Sequence, residues 1–337
     1  TVAQRSTSVT GLGATAGYFG LDRWKTDFSS TAGRLTLTQD SSVPTGEGFF
    51  DSLKVACTTA DTSIAAGEQF TIEQMIEAQN CQVISKGTSG AKPLTLSFYC
   101  KANANATYVV ELYAQDVDRR ISSLFNVTTD WTRVTVTFPA DTTGEITNDN
   151  GGGIKVSWWL HAGSNYSGGT LQTTWAAAAD NTRATGGDSF FDSTSRTFFL
   201  TGCQLEVGQN ATTFEHEPFE RTLLKCKRYL QVYNSYGASY AHFPSLGQGN
   251  ASSINWNHEL PTQMRDTPTL ETSGDWRVQD TYGGSYYTLS SISISSGDST
   301  DKLVRGSATT SSAIGTDIGR ILSYGDSSAR WTYKSEL

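Results

Sequence analysis

The sequence has no run of about 18 apolar residues, and it has no basic segment followed by an apolar stretch near its start. We therefore expect neither a membrane span nor a secretory signal, and we expect a soluble protein. Charged residues make up only 17% of the chain and hydrophobic residues only 37%, whereas Ser, Thr, Gly and aromatic residues are abundant. This composition favours strands and turns over long helices and predicts an all-β protein.

A concentrated basic patch is also missing. The net charge of −8 is spread along 337 residues, and basic side chains cluster only in the short segment 221–228. A protein that binds nucleic acid needs a positively charged surface to replace the counterions of the phosphates. We therefore expect no nucleic-acid partner. The length suffices for two domains, each with its own core.

Neither the cysteines nor the histidines show the spacing of a metal site. The five cysteines are odd in number and far apart, which argues against a zinc site or a disulfide scaffold and predicts buried free thiols. The four histidines lack helical or hairpin ligand spacing, so no transition-metal site is expected. These residues are Cys57, Cys81, Cys100, Cys203, Cys226, His161, His216, His242 and His258.

Alternating apolar and polar residues predict a series of strands in the first two thirds of the chain. The clearest lie at 94–100, 108–112, 134–138 and 154–160, and turn residues separate them at 103–105, 129–130 and 150–153. In the last of these strands Trp158 shares the apolar face, so Trp159 and His161 point the other way. Strands that follow one another through short turns predict an antiparallel β-sandwich.

Residues 197–233 mark the boundary between two modules. Alternation over 197–207 predicts a closing strand with one buried face. Pro218, with glutamates on both sides, indicates the start of a helix, because carboxylates complement the helix dipole there. We therefore assign 1–214 to a sandwich domain, 215–234 to a connecting helix and 235–337 to a smaller C-terminal β domain.

The predicted helix carries apolar residues at heptad spacing over about two heptads. Two interpretations are open: the helix packs on the sandwich, or it lies at the axis of an oligomer. The oligomer-contact candidates are Phe219, Leu223, Cys226, Leu230 and Tyr233. The C-terminal domain is short and polar, which predicts a small core, and we hypothesise that neighbouring copies add stability, as in trimeric fibre proteins.

Several short motifs follow one another along the chain: Gln4-Arg5-Ser6-Thr7-Ser8, Gly17-Tyr18, Asp22-Arg23-Trp24, Gln204-Leu205-Glu206-Val207-Gly208, Ala211-Thr212, Phe214-Glu215-His216 and Cys226-Lys227-Arg228-Tyr229. Together they resemble a recurrent module of tailed-bacteriophage virion proteins, a carbohydrate-binding-module-like jelly roll of tail-fibre, appendage or head-fibre proteins. The resemblance covers residues 1 to about 233. One departure is Thr213, where relatives often carry a proline that makes the turn more rigid.

The resemblance implies a non-enzymatic structural protein of the virion, on the head or tail of the particle. Its implied partners are other virion proteins and further copies of the chain in a homotrimer; the alternative is a lectin-like adhesin that binds a host surface glycan. The expected fold is a jelly-roll β-sandwich joined by a short α-helix to a smaller C-terminal β domain. No cofactor is expected. Structural calcium is compatible with such a jelly roll, but the sequence does not identify which residues would bind it.

A glycan site needs an exposed aromatic plane for the apolar face of a sugar and polar groups for its hydroxyls. The Gly-, Ser- and Thr-rich stretch 162–192 predicts a long surface loop of the kind that often binds ligands. The candidates are Trp159, Tyr166, Trp175, Asn165 and Arg183. The alternative is that Trp159 covers a sheet edge or a subunit contact.

The acidic residues do not indicate a catalytic site. A glycosidase needs two carboxylates about 5 to 9 Å apart, and the sequence gives no pairing among Asp116, Asp118, Asp188 and Asp192. Glu215-His216-Glu217 lies where the predicted helix starts, and neighbours in sequence point apart. This favours a structural role over acid–base chemistry. We therefore expect no enzymatic activity.

Overall fold

A computed structural model describes residues 2–234, 238–250, 252–280, 284–314 and 318–337. The chain divides into two compact units, residues 1–217 together with Leu337, and residues 218–336. Strands dominate both units, so the chain is all-β, as the composition predicts. Within the described ranges, no helix is long and apolar enough to cross a membrane.

The first unit contains two six-stranded antiparallel sheets. The first sheet has the strand order β1 (Ser8–Leu12), β3 (Arg34–Asp40), β4 (Ser52–Thr59), β12 (Thr197–Val207), β6 (Leu94–Ala102) and β9 (Thr132–Phe138). The second has the order β11 (Ala176–Ala177), β8 (Arg119–Val127), β7 (Ala106–Ala114), β10 (Gly152–Ala162), β5 (Gln69–Glu77) and β2 (Lys25–Ser29). Because the chain repeatedly crosses between the sheets, they form a jelly-roll β-sandwich around one core.

Side chains from both sheets meet in the core of the sandwich. Trp158 on β10 lies edge-on to Phe98 on β6, with ring centroids 5.6 Å apart, and both rings are buried. Trp24 also packs against Trp158, at 5.5 Å. Burying one large apolar side chain stabilises a fold by about 1.5 to 3 kcal/mol. The predicted inward position of Trp158 is therefore confirmed.

Short helical segments connect the strands of this unit. They are α1 (Ser164–Ser167) and 3-10 turns at Ala78–Ile84, Gln115–Val117, Asp180–Thr182 and Phe190–Asp192. The stretch 162–192 is thus more ordered than the long loop that its composition predicts. It is held together by its own backbone, since Gly169 N–H donates to the Asn181 carbonyl and Ala184 N–H donates to the Tyr166 carbonyl.

The five cysteines of the chain are free thiols, as their spacing predicts. Four are buried, and Cys203 is half-buried. Burial raises the pKa of Cys81 to about 11 and the pKa of Cys100 to about 12. A thiol that stays protonated at neutral pH is a poor nucleophile and a poor metal ligand. These cysteines therefore act as small apolar residues of the core.

The second unit begins with helix α2 (Phe219–Lys227) and is otherwise made of strands. A three-stranded sheet has the order β13 (Leu230–Asn234), β21 (Arg330–Lys334) and β16 (Thr269–Ser273). A closed barrel has the order β14 (His242–Asn250), β15 (Ser253–Glu259), β19 (Leu303–Thr310), β18 (Tyr286–Ile294), β17 (Trp276–Asp280) and β20 (Ile318–Ser323). Closure of the barrel pairs each of its strands on both sides.

Aromatic rings fill the core of the second unit. Trp331 on β21 stacks on Phe243 at a centroid distance of 4.3 Å, and it meets Trp256 and Trp276 edge-on at 5.1 and 5.7 Å. All four rings are buried. Each favourable ring pair adds about 0.5 to 1.5 kcal/mol beyond the area that it buries. This core has fewer buried residues than the core of the sandwich, in line with the small core that the sequence predicts, and large rings fill much of it.

The predicted helix 215–234 is too long. Helix α2 ends at Lys227, and Leu230–Asn234 forms strand β13, which pairs along its whole length with β21. The placement of Leu230 and Tyr233 on a helical heptad is therefore wrong. Tyr233 instead packs edge-on against His258 in the core. Local periodicity does not reveal a strand partner that lies near the C-terminal end of the chain.

The other candidates for oligomer contacts lie on α2 and differ in exposure. Phe219 is 61% exposed, Leu223 is half-buried and Cys226 is buried. Phe219 and Leu223 are four residues apart and so share one side of the helix, where they leave an apolar stripe accessible. Their contact with other copies of the chain stays a prediction.

Candidate functional site

The outer face of the second sheet carries polar and aromatic side chains. Because side chains alternate along a strand, the residues between the core positions point away from the sandwich. They include Lys25 and Asp27 on β2, Thr71, Glu73 and Met75 on β5, Lys155, Ser157 and Trp159 on β10, Val109, Glu111 and Tyr113 on β7, and Arg120 and Ser122 on β8. The predicted outward position of His161 is wrong, because a bulge after Trp159 pairs His161 with Phe70 on the core side. This face has a covered half and an open half.

The stretch 163–188 covers one half of the face. Arg183 places its guanidinium 4.4 Å from the ring centroid of Trp159 and donates hydrogen bonds to both carboxylate oxygens of Glu111, at 2.8 and 3.0 Å. Glu111 is fully buried. Burial alone would lower the pKa of Arg183, but the Glu111 carboxylate raises it above its usual range. The ion pair therefore fixes this stretch to the sheet.

The five predicted glycan-binding residues do not form an exposed platform. Trp159 is only 2% exposed beneath Arg183 and Tyr166, so the prediction of an exposed stacking ring at Trp159 is wrong. Trp175 lies apart from these three: it packs on the sandwich core and donates its indole N–H to a backbone carbonyl at 2.8 Å. Asn165 is exposed on α1. The ring of Trp159 is covered because the stretch after β10 folds back over the sheet.

The open half of the face centres on Tyr113. The strand register places Lys155 on one side of it and Arg120 on the other. The Arg120 guanidinium lies 4.6 Å and the Lys155 ammonium 5.7 Å from the ring centroid of Tyr113. The phenol donates a hydrogen bond to Asp118 at 2.8 Å. Burial and the Asp118 carboxylate raise the pKa of Tyr113, so the phenol stays neutral.

Glu73 holds the lysines of the open half in place. Its carboxylate lies 3.0 Å from the ammonium of Lys155 and 3.7 Å from that of Lys25. Thr71 and Ser157 donate hydrogen bonds to it at 3.0 and 3.2 Å. Burial opposes ionisation, but the two lysines hold the pKa of Glu73 below its usual range. The polar sheet face consists of Lys25, Glu73, Tyr113, Arg120 and Lys155.

Sequence periodicity does not predict the polar sheet face, because its residues come from five strands. The sequence gives one hint. Because side chains alternate along a strand, Lys155 is expected to point outward with Trp159, four residues later. What brings Lys155 beside Tyr113, and Tyr113 beside Arg120, is the register of strand pairing. Register is set by the packed core and by turn geometry, which a local pattern does not contain.

Three buried side chains with metal-ligand chemistry meet at one end of the sandwich. Among the described residues, Asp61, Glu68 and His161 form the one such group, with ligand atoms within 4.8 Å of one another. His161 bonds to Glu68 through Nε2 at 3.0 Å and to Ser189 through Nδ1 at 2.8 Å, and Asp61 accepts a hydrogen bond from Thr31 at 2.9 Å. Calcium takes oxygen ligands, so the imidazole does not suit it. Through His161, hydrogen bonds connect β10 to the loops that carry Glu68 and Ser189.

The acidic residues considered for catalysis are engaged in local structure. Asp116 accepts hydrogen bonds from Thr147, Asp118 from Tyr113, Asp188 from the Thr107 backbone and Asp192 from Arg196. His216, between the two glutamates near the predicted helix start, bonds to the Glu47 carbonyl at 2.9 Å. Its ring packs against Phe49 and Phe214. These contacts give each of these side chains a structural role.

Comparison with known proteins finds no matching family model and no matching curated protein. Among solved structures, the enzymatically active domain of tailspike protein 4 from bacteriophage CBA120 matches 55% of this chain with 10% identity and a TM-score of 0.31. The match covers 19% of that domain's own chain, so the protein spans about a fifth of its length.

Two carbohydrate-binding modules also match. A family 4 module aligns over 61% of this chain and 99% of its own, with 12% identity and a TM-score of 0.31. A family 11 module from Clostridium thermocellum, solved in complex with a β-1,3-1,4-mixed-linked tetrasaccharide, aligns over 63% of this chain and 99% of its own, with 10% identity and a TM-score of 0.31. The jelly-roll assignment of the first unit rests on its own strand order and core.

Proposed function

We propose that the first unit is a non-enzymatic binding module for glycans and that its ligand lies along the polar sheet face. The observation that carries the proposal is the half-exposed ring of Tyr113, flanked by Arg120 and Lys155 on the open half of the sheet. A sugar presents an apolar ring face and a rim of hydroxyl groups. An aromatic ring with charged groups beside it matches both parts.

The charged groups of the polar sheet face are already held in position. Glu73 fixes Lys155 and Lys25, and Arg120 pairs with Asp180 at 2.9 Å. Little side-chain entropy is therefore lost when these groups bind hydroxyls, and preorganised groups give higher affinity than mobile ones. Each ammonium carries three donors, so a lysine that is held by Glu73 keeps donors for a ligand.

A glycan array followed by isothermal titration calorimetry tests this proposal. The wild-type chain should bind at least one oligosaccharide, and Tyr113→Ala should weaken that binding about tenfold or more, which is about 1.4 kcal/mol. Lys155→Ala should also weaken it. Lys54→Ala is the matched control, because Lys54 lies on a strand of the other sheet and pairs with Asp40 at 3.0 Å. Equal affinity of the wild type and Tyr113→Ala, or an array without sugar-dependent signals, would contradict the proposal.

We further propose that the chain is a component of a phage virion. The support is the motif resemblance together with the structural role of its polar residues: Gln204 and Glu206 both bond to the segment that follows the closing strand. Such bonds explain why the motif carries these residue types at these positions. Gold-labelled antibodies against the chain should mark the surface of particles in electron micrographs, and unlabelled particles would contradict this location.

The partners in the particle would be other virion proteins and two further copies of the chain. The accessible stripe of Phe219 and Leu223 on α2 supports a contact between copies. Light scattering should give the mass of a homotrimer for the wild type and a smaller mass for Phe219→Glu. Arg221→Glu, at an exposed position on the opposite side of the same helix, is the control. A monodisperse wild-type monomer would overturn the trimer.

A further inference from the structure

The C-terminal barrel carries a groove that the proposed function does not use. The groove has a volume of about 760 Å³ and lies on the outer surface of β15, β19 and β18. This volume falls within the range of about 300 to 1,000 Å³ that is usual for small-molecule sites. Its polar lining residues include Asn255, Asn257, Ser293, Ser295, Arg305 and Ser307.

The strand register arranges these side chains in two rows across the barrel surface. In one row, Asn255, Ser307 and Ser293 stand opposite one another on three neighbouring strands. In the other row, Asn257 stands opposite Arg305. Neighbouring strands lie about 4.8 Å apart, and alternate residues of one strand lie about 6.8 Å apart. The polar groups are therefore spread over an area that a short oligosaccharide covers.

The floor between the two rows is tightly packed. Trp256 and Gly306 lie between the rows and face the core, and Trp256 is only 3% exposed. A Cβ atom at Gly306 would lie 2.3 Å from the indole of Trp256, so only glycine lets the ring pack directly beneath β19. The indole supports the strands from inside, which keeps the two polar rows in register.

Within the described part of the protein, Ser293 and Ser307 share a hydrogen bond at 3.3 Å, whereas the amide and guanidinium groups of the rows are not engaged. The side-chain amides of Asn255 and Asn257 make no hydrogen bond there, and the Arg305 guanidinium has no carboxylate within ion-pair distance. Asp298, which also lines the groove, accepts a hydrogen bond from Ser295 at 2.9 Å. Amide and guanidinium groups gathered in one groove can exchange their bound water for the hydroxyl groups of a ligand.

We propose that this groove is a second saccharide site and that it binds a short neutral oligosaccharide. Amides donate and accept hydrogen bonds, a guanidinium donates to two neighbouring oxygens, and serine hydroxyls do both. The charge of Asp298 balances that of Arg305, and the chain carries −8, which disfavours a polyanion. The site lies in the second unit and does not rest on the polar sheet face.

Binding in this groove depends on hydrogen bonds. The aromatic residue of its lining, Trp256, is turned into the core, so stacking on a sugar ring does not contribute. Binding should therefore be driven by enthalpy and be weak for one site, with a dissociation constant of about 1 mM. Several copies of the chain on one surface would raise the overall affinity through multivalency.

Saturation-transfer NMR with the full chain and short neutral oligosaccharides of glucose, galactose and mannose tests the site. Asn255→Ala/Asn257→Ala and Arg305→Ala should each weaken binding of the same sugar about tenfold or more. Arg305→Lys should keep part of it, since an ammonium still donates. Arg320→Ala is the control, because Arg320 is exposed on β20, across the barrel from β19.

Tyr113→Ala separates this groove from the polar sheet face. Sugar signals that persist in Tyr113→Ala and disappear in Arg305→Ala support the groove, whatever happens at the other site. The proposal is overturned if no sugar gives saturation transfer in Tyr113→Ala, or if both groove variants bind like the wild type. Inorganic phosphate that binds at Arg305 without any sugar-dependent signal would mark an adventitious anion and also overturn it. If a groove variant does not fold, the chemical shifts of the Asn255 and Asn257 amides are followed in Tyr113→Ala instead. Shifts on addition of sugar support the groove site, and unchanged resonances overturn it.

Discussion

Glu206 on β12 holds Thr212 through two hydrogen bonds: its carboxylate accepts one from the backbone N–H, at 3.1 Å, and one from the hydroxyl. Gln204, two residues earlier on the same strand face, donates to the Thr212 hydroxyl at 3.2 Å and accepts a hydrogen bond from the Glu215 backbone at 2.8 Å. The closing strand of the sandwich is therefore tied to the segment that follows it. This gives the polar residues of the Gln-Leu-Glu-Val-Gly motif a physical role.

We expect Glu206→Ala to destabilise the first unit. Burial alone would raise the pKa of Glu206, but hydrogen bonds from Gln204 and Thr212 hold it below its usual range. In the unfolded chain the pKa of a glutamate is about 4.3. The stabilisation by the ionised Glu206 is therefore present above that pH, and it is lost as the pH falls through the lower pKa of the folded state. At neutral pH the expected loss is about 1 kcal/mol, because solvent reaches the carboxylate.

Urea unfolding of the wild type and Glu206→Ala over a range of pH measures this loss. The difference in unfolding free energy should shrink as the pH is lowered. Glu145→Ala is the control, because Glu145 is an exposed glutamate of the same unit with no hydrogen-bond partner among the described residues. A difference that stays constant down to acidic pH would show that the ionised carboxylate is not responsible.

Trp158 and Trp159 show how far the sequence predicts this fold. Alternation correctly places them on opposite faces of β10, and the repeated strand pattern predicts the sandwich. Alternation does not show what covers the outward ring. Arg183 and Tyr166, which bury Trp159, belong to a stretch whose course depends on backbone bonds within the stretch and on the buried partner Glu111. Such long-range contacts leave no local period in the sequence.

Leu230–Asn234 shows the same limit for secondary structure. Its apolar residues continue the helical spacing of α2, yet the same residues also suit a strand, because Leu, Val and Tyr pack well on a pleated surface. Pairing with β21 decides between the two. The polar sheet face is likewise assembled by register across five strands, so its residues are not predictable as a group from spacing.

We expect the loss of Arg183 to destabilise the first unit strongly. Glu111 is fully buried and accepts two hydrogen bonds from Arg183, so without the guanidinium its charge would have no counterpart. Breaking a buried ion pair costs about 3 to 5 kcal/mol, whereas replacing both partners by apolar residues can be nearly neutral. Arg183→Leu should therefore lose about that much, and Glu111→Leu/Arg183→Leu should regain most of it.

A double-mutant cycle in urea measures the coupling between these two residues. Arg196→Leu is the matched control: Arg196 also makes two hydrogen bonds to a carboxylate, but its partner Asp192 is 43% exposed. That pair should contribute about 1 kcal/mol or less. A double variant as unstable as Arg183→Leu alone would mean that the unpaired charge of Glu111 is not the cause.

We expect His258 to make the second unit sensitive to acid. Its ring is 7% exposed among Tyr233, Phe243 and Tyr333, and Nδ1 lies 3.1 Å from the Tyr333 hydroxyl. Burial lowers the pKa of His258 to about 4, whereas the unfolded value is about 6.5. The unfolded chain therefore binds the proton first. Stability is full above about pH 6.5 and falls as the pH drops from there to about 4.

The free energy of unfolding of the second unit should fall by about 2 to 3 kcal/mol between about pH 6.5 and about pH 4. Hydrogen exchange of residues 253–259 and 330–334, corrected for the intrinsic effect of pH, reports the stability of this unit separately. His258→Gln keeps a hydrogen-bonding group without a titratable proton, so it should remove most of the pH dependence. His216→Gln, which changes an exposed histidine of the first unit, should leave that dependence as in the wild type. If the stability of His258→Gln falls with decreasing pH as steeply as that of the wild type, groups other than His258 cause the acid sensitivity.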